Sequence, residues 1–381
     1  MNSYMNEVEI PRAIEQEALN NDNIYVVCAD GLQKQFFPKL WAQYPNRVIL
    51  CGISEQNQVS IANGLALGGK KVYCIMMSAF FVHRALDQIK MASYSNCDIK
   101  FLGAASDLGI MVGGYSHIAI DDISILKNTP NLEIYTPYTR GESEYVIKES
   151  LKKNTPMFIS LSYSGGYIAE NNKYEEGFST LLKGFDDCCI ITTGNAINTL
   201  VYGSILKNLA KKGFLPTVIS SYKASPVNEE ACNKIISKYK KIITFEHRGS
   251  GSLSSTFGEI IAKSGKKVDF MPIYLKDKTY NVVGGADYVA SKYLDFENLP
   301  SKIAKFIEPR EIFLFNRKGK VGDDLNYVKI KRKFMGITYY KQKITNNERK
   351  SYLLGFIPTK PRSSHPMAIC VGGGGGKTRP K

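Results

Sequence analysis

The sequence predicts an α/β protein: two consecutive doubly wound domains with mainly parallel sheets, followed by a basic C-terminal tail. Three observations carry this reading. Short apolar runs alternate with helix-length segments through the first 165 residues. The alternation restarts near residue 188, after the polar stretch Ala169–Tyr174. Positive charge is concentrated beyond Pro309. Strands that alternate with helices form parallel sheets covered on both faces, because each crossover lays a helix across the sheet.

Taken in order, residues 24–29 form an apolar strand followed by a helical stretch through Trp41, and residues 47–51 form a second strand. Residues 55–67 place Val59, Ala62 and Ala66 at helical spacing. Strands are expected at 71–77, 99–105, 132–136 and 157–161, and helices at 82–91, 118–126 and 142–151. In the second domain, strands at 188–192, 217–220, 241–245 and 268–274 alternate with helices ending near Ala210, Ile236 and Ala262. The expected organisation is a first domain over 1–170, a second over 183–308 and a tail over 309–381, partly flexible, whose end carries five glycines (372–376).

Composition narrows the function classes. The 381 residues are 44% hydrophobic and 11% aromatic, enough to bury real cores. No apolar run is long enough for a transmembrane helix, and Met1–Glu7 does not read as a secretory signal. The eight cysteines show no CxxC pair and several lie inside strand-like runs, which fits buried free thiols in a reducing cytoplasm. The net charge of +15 misleads if read for the whole chain. Residues 310–381 hold 17 basic and 4 acidic residues, leaving 33 basic and 31 acidic in the body. A nucleic-acid-binding protein is therefore not indicated.

The informative block is Gly52-Ile53-Ser54-Glu55-Gln56-Asn57-Gln58-Val59, then Ile61–Leu67. It puts a carboxylate just after a strand, at the start of a small-residue helix. That is the C-terminal edge of a parallel sheet, where ligands bind in open α/β folds. Read alone, Glu55 either contacts a ligand there or only favours the helix N-terminus through its dipole.

Residues 20–308 resemble the pyrimidine-binding and C-terminal domains of transketolases, particularly the separately encoded C-terminal subunits. The resemblance rests on stretches in family order: Ala29-Asp30, Gly52–Asn57, Arg84–Ile89, Gly114–His117 and Thr129–Leu132, then Thr192-Thr193-Gly194 and Phe245-Glu246-His247. It implies thiamine diphosphate as cofactor. The glutamate matching Glu55 bonds N1′ of the cofactor's aminopyrimidine from a dry pocket and shares a proton with it. His117 matches a histidine facing the substrate; Asp30 matches a position lining the cofactor pocket, or else caps the following helix. Phe80 belongs to the aromatic wall around the pyrimidine, or else packs in the core.

Departures from the family pattern carry their own information. Met77 stands where a phenylalanine usually stacks on the pyrimidine, and a polarizable thioether can pack there. A substrate-facing histidine is replaced by Ala105, a sugar-binding aspartate by Gly113 and a phosphate-gripping arginine by Tyr163. Neutral side chains do not replace a guanidinium fork, so the expected substrate is an unphosphorylated or nucleotide-linked sugar. The Gly-Asp-Gly motif that anchors the diphosphate and its Mg2+ is absent from the chain. The resemblance therefore implies a partner, the N-terminal diphosphate-binding transketolase subunit, in an α2β2 assembly that includes a homodimer contact. No metal ligand is assigned to this chain.

The expected activity is transfer of a two-carbon ketol unit between sugars. The alternatives are the β subunit of the decarboxylating component of a 2-oxo-acid dehydrogenase and a catalytically degenerate scaffolding paralogue. In the tail, Phe334–Ile337 and Leu353–Phe356 look like two copies of one Gly-centred unit. They resemble extensions on enzymes of bacterial surface-polysaccharide synthesis, and the charge suits an anionic membrane surface.

Overall fold

The computed structural model describes residues 6–29, 33–162, 174, 177–184, 186–201, 203–275 and 282–308, the backbone alone at 33 and 34, and beyond them the backbone of five strands between 315 and 359. Asp30, Tyr163 and most of the expected linker lie outside the described residues.

The first domain runs α1 (Asn6–Asn20), β1 (Ile24–Cys28), α2 (Pro38–Gln43), β2 (Val48–Leu50), α3 (Glu55–Leu67), β3 (Lys71–Met77), α4 (Ser78–Arg84), α5 (Leu86–Tyr94), β4 (Ile99–Ala104), α6 (Asp122–Leu126), β5 (Glu133–Tyr135), α7 (Arg140–Lys152) and β6 (Met157–Ser160). The second runs β7 (Phe178–Leu182), β8 (Cys188–Thr192), α8 (Ala196–Val201), α9 (Ser204–Lys211), β9 (Thr217–Ser221), β10 (Lys223–Ser225), α10 (Glu229–Lys238), β11 (Lys241–Phe245), α11 (Leu253–Ser264), β12 (Asp269–Ile273), α12 (Ala286–Leu294) and α13 (Leu299–Ile307).

Seven strands form the first sheet in the order β10-β5-β6-β4-β3-β1-β2, parallel except for β10. The second sheet orders β12-β11-β8-β9-β7, parallel except for β7. This is the expected α/β architecture. The central strands are apolar because both faces are covered: six of the seven residues of β3, for instance, are buried. Strand β10 leaves the second domain to pair with β5 of the first (Lys223 opposite Tyr135) and joins the two bodies through a sheet.

Three expectations need correction. The single helix over 82–91 is two, broken at Ala85, and the single helix towards Ala210 is also two, broken before Gly203. The helix expected from residue 118 starts only at Asp122, because Ala119 bridges to Asp107 and holds that stretch extended. In the tail, expected to be partly flexible, the described strands β13 (Phe315–Val321), β14 (Tyr327–Phe334), β15 (Ile337–Thr345), β16 (Arg349–Leu353) and β17 (Ile357–Thr359) pair as an antiparallel meander. The centres of the two Gly-centred units, Met335-Gly336 and Leu354–Phe356, lie outside the described residues. Among the described residues, no helix is long and apolar enough to cross a membrane.

Candidate active site at the C-terminal edge of the first sheet

The C-terminal ends of β2, β1, β3 and β4 lie side by side, and Glu55, Met77, Phe80 and His117 gather on that edge. Glu55 opens α3 after a turn in which Gly52 takes φ 73°, a conformation suited to glycine. Its position is fixed one turn further on. The fully buried Gln58 donates from Nε2 to the backbone oxygens of Val27 (3.0 Å) and Ile75 (2.8 Å), tying α3 to β1 and β3. Val59 and Ala62 pack beneath it in the sheet core.

Glu55 is 8% exposed, and its carboxylate makes no hydrogen bond among the described residues. Its charged neighbour is Arg84, whose Nε lies 3.8 Å from Oε1 and whose side chain is largely exposed. The same guanidinium sits 5.4 Å from the Phe80 ring centroid. Phe80 meets the His117 ring edge-on with centroids 5.4 Å apart, and Ser116 Oγ lies 2.8 Å from His117 Nδ1. The structure therefore connects Glu55, Phe80 and His117 through Arg84, a residue to which the sequence alone assigns no role. Met77 ends β3 three residues before Phe80 and is partly buried.

The departures also acquire positions. A Cβ at Gly113 would lie 2.6 Å from His117 Cγ, so the histidine ring fills the space an aspartate would need. Ala105 is buried at φ 51°, and the Glu7 carboxylate lies near its backbone N–H. Burial pushes Glu7 up to about 7, only partly offset by that N–H. Where the family pattern places an imidazole, this chain presents a methyl group with a carboxyl beside it.

The second-domain residues behave differently from a ligand site. Glu246 is buried and accepts from Leu253 N, Ser254 N and Ser254 Oγ, capping α11. His247 is 1% exposed with neither ring nitrogen hydrogen-bonded among the described residues, and burial holds it down at about 4. No group of three or more His, Cys, Asp or Glu able to hold a metal occurs among the described residues.

A thiamine-type aminopyrimidine fits this edge. A nearly buried carboxylate without a hydrogen-bond donor among the described residues is an acceptor suited to a protonated ring nitrogen, and an aromatic wall stands beside it.

Comparisons with known proteins agree. Residues 9–164 match the transketolase pyrimidine-binding domain. The chain is 27% identical over 269 residues to an apulose-4-phosphate transketolase subunit of Actinobacillus succinogenes, covering 70% of this chain and 86% of that one. It is 28% identical over 294 residues to the putative transketolase C-terminal section of Methanocaldococcus jannaschii, covering 74% and 90%. In structure it resembles a split-gene transketolase solved as an inactive β4 tetramer, with TM-score 0.68 and 21% identity over 81% of this chain and 100% of that one. The transketolase of Campylobacter jejuni is similar at TM-score 0.63 and 16% identity, over 80% of this chain and 46% of that one. Residues 9–164 are a transketolase pyrimidine-binding domain. Over most of its length the chain is similar to separately encoded transketolase subunits and C-terminal sections.

Proposed function

We propose that this chain is the C-terminal subunit of a thiamine-diphosphate-dependent transketolase, moving a two-carbon ketol unit between sugars in the cytoplasm. A partner subunit supplies the diphosphate and Mg2+ site in an α2β2 assembly. The observation that carries the reading is Glu55, a nearly buried carboxylate with no hydrogen-bond donor among the described residues, set at the C-terminal edge of a parallel sheet by Gln58. Bound thiamine diphosphate supplies the carbon nucleophile and the electron sink for C–C cleavage. Glu55 holds a proton at the pyrimidine nitrogen, Phe80 and Met77 exclude water from the ring, and His117 binds or moves a proton at a substrate hydroxyl. Asp30 is a further pocket residue on this reading.

The relatives named for apulose-4-phosphate and for 6-deoxy-6-sulfo-D-fructose carry an anionic terminus on their sugars. Here Ala105 and Tyr163 stand where the family pattern places a histidine and a phosphate-gripping arginine, and neutral side chains do not replace a guanidinium fork. The substrate proposed is a sugar without a terminal phosphate, of the kind used in surface-polysaccharide synthesis. In the tail, residues 310–381 hold 17 basic and 4 acidic residues. Contact with an anionic membrane surface follows, at about 1 kcal/mol per basic residue. Removal of residues 309–381 then abolishes sedimentation with phosphatidylserine vesicles.

The enzyme reading is tested by purifying the chain with a Gly-Asp-Gly-bearing partner and screening ketose donors. Consumption by wild type and loss in Glu55→Gln supports it. Turnover retained in Glu55→Gln rejects it.

A further inference from the structure

We propose that Arg248, in the second domain, is a positioning residue for the active-site edge: it holds both ends of the His117 loop and the start of α4. The inference rests on the transferase reading above for its kinetic consequence, but its geometry stands independently.

The loop between β4 and α6 carries Gly113 and His117, and a carboxylate stands near each of its ends, Asp107 and Asp122. Both are fully buried, as is Arg248. Arg248 Nε donates to Asp122 Oδ1 at 2.7 Å, and Nη2 reaches Oδ2 at 3.4 Å and Ser160 Oγ at 2.9 Å. Nη1 faces Asp107 Oδ2 at 3.7 Å. One guanidinium thus spans the two points where the loop leaves and rejoins the fold. The second domain adds further contacts to the same loop. Asn195 Nδ2 donates to Asp107 Oδ1 (3.0 Å) and to the Ser106 carbonyl (3.2 Å), and Gly249 N donates to the Ile120 carbonyl (2.9 Å).

The clamp continues into the catalytic edge. Ser78 Oγ donates to Asp122 Oδ2 at 2.8 Å, and Ser78 is the first residue of α4, the helix that carries Phe80 and Arg84. His83 of the same helix meets Asp121 at 3.1 Å. Phe80 and His117, the pair in edge-on contact, are therefore set on two elements whose relative placement passes through Asp122 and Arg248.

Stability alone does not account for this arrangement. Buried ion networks are often matched or exceeded in stability by apolar residues of the same volume. What a guanidinium adds is direction: its planar fork fixes the angle of a carboxylate, which an ammonium cannot do. Gly194 shows how closely the second domain approaches. It has φ 54°, and a Cβ there would lie 3.2 Å from Asp107 Oδ2 and 3.3 Å from Arg248 Nη1.

The test uses the full chain with Arg248→Lys, which keeps the charge and loses the fork. Should that variant fail to fold, Gly194→Ala presses on the same clamp from its other side. With histidine-selective isotope labelling, the chain gives four imidazole signals. The expected result is displacement of the His117 signal; an unmoved His117 signal overturns the proposal. In the two-chain complex, Arg248→Lys lowers kcat/KM about tenfold or more with thiamine diphosphate affinity held. In a His117→Ala background the same substitution costs less than about twofold, because its effect acts through the lost imidazole. Full multiplication of the two effects overturns the positioning role. If His117 moves but the wild-type complex uses no ketose donor, the transferase reading falls and the clamp stands.

Discussion

Gly113 offers a quantitative test of how the loop serves the site. A Cβ at this position would approach His117 Cγ to 2.6 Å and His117 Cβ to 2.9 Å. Ordinary contact begins at 3.4 Å, so Gly113→Ala must drive the ring away by about 0.8 Å, against contacts that tolerate little overlap. The contact is with the root of the histidine as well as the ring, so a rotation about its outer bond does not relieve it. Phe80 lies on the ring's edge at 5.4 Å, and displacement disturbs that pair too. Gly113 is exposed and does not have positive φ, so global stability should change by less than about 1 kcal/mol. A displacement near 1 Å at a reacting group costs on the order of a hundredfold in rate. Steady-state kinetics of the two-chain complex, with a thermal melt as control, reads both numbers. Unchanged kcat/KM in a variant that melts like wild type would refute the reasoning. By the same geometry, Gly113→Asp does not restore family behaviour, because His117 already fills the space.

Other expected outcomes follow from single observations. Gln58→Leu removes two hydrogen bonds to strand carbonyls and should cost about 1–3 kcal/mol in a denaturant titration. It should also weaken cofactor binding, since α3 loses its tie to the sheet. Glu7 is held above its ordinary value, at about 7, so the folded state binds more protons than the unfolded one between about pH 4.5 and 7. Its stabilising contribution is complete below that window and is lost as pH rises through it. Glu7→Gln should flatten the fall in melting temperature across this range, and an unchanged profile would contradict the assignment. Glu55→Gln should lower the transfer rate about a hundredfold or more, measured as ketose consumption at saturating donor.

Much of the fold was legible because it is written in local patterns. The helix Glu55–Leu67 and the strands Lys71–Met77, Cys188–Thr192 and Lys241–Phe245 appear where apolar periodicity places them. What escaped was set by tertiary contact. Strand β10 is three residues of mixed polarity, Lys223–Ser225, and exists because an edge strand of the other domain was open to it. Helix α1 carries Pro11 within it and gives no clear start signal. The apolar run Ile118-Ala119-Ile120 looks helical by composition, yet the Asp107–Ala119 bridge holds it out of the helix.

The site divides the same way. Glu55 was legible as a carboxylate at a strand-to-helix turn, and Phe80 and His117 followed from order along the chain. Arg84 opens the family-like stretch Arg84–Ile89, but its approach to Glu55 depends on how α4 crosses α3. Arg248 lies one residue beyond the family-like Phe245-Glu246-His247. Its signal is burial of a charged residue against two carboxylates from the other domain, which no spacing in the sequence contains.

The central claim is that Glu55 receives the pyrimidine of a cofactor whose diphosphate is held by another chain. Calorimetry with thiamine diphosphate and Mg2+ tests it directly, using this chain alone, the two-chain complex, and the complex with Glu55→Ala. The account predicts tight binding by the wild-type complex, none by the isolated chain, and affinity reduced about tenfold or more in the variant. Equal binding by the Glu55→Ala complex, or full affinity in the isolated chain, would contradict it.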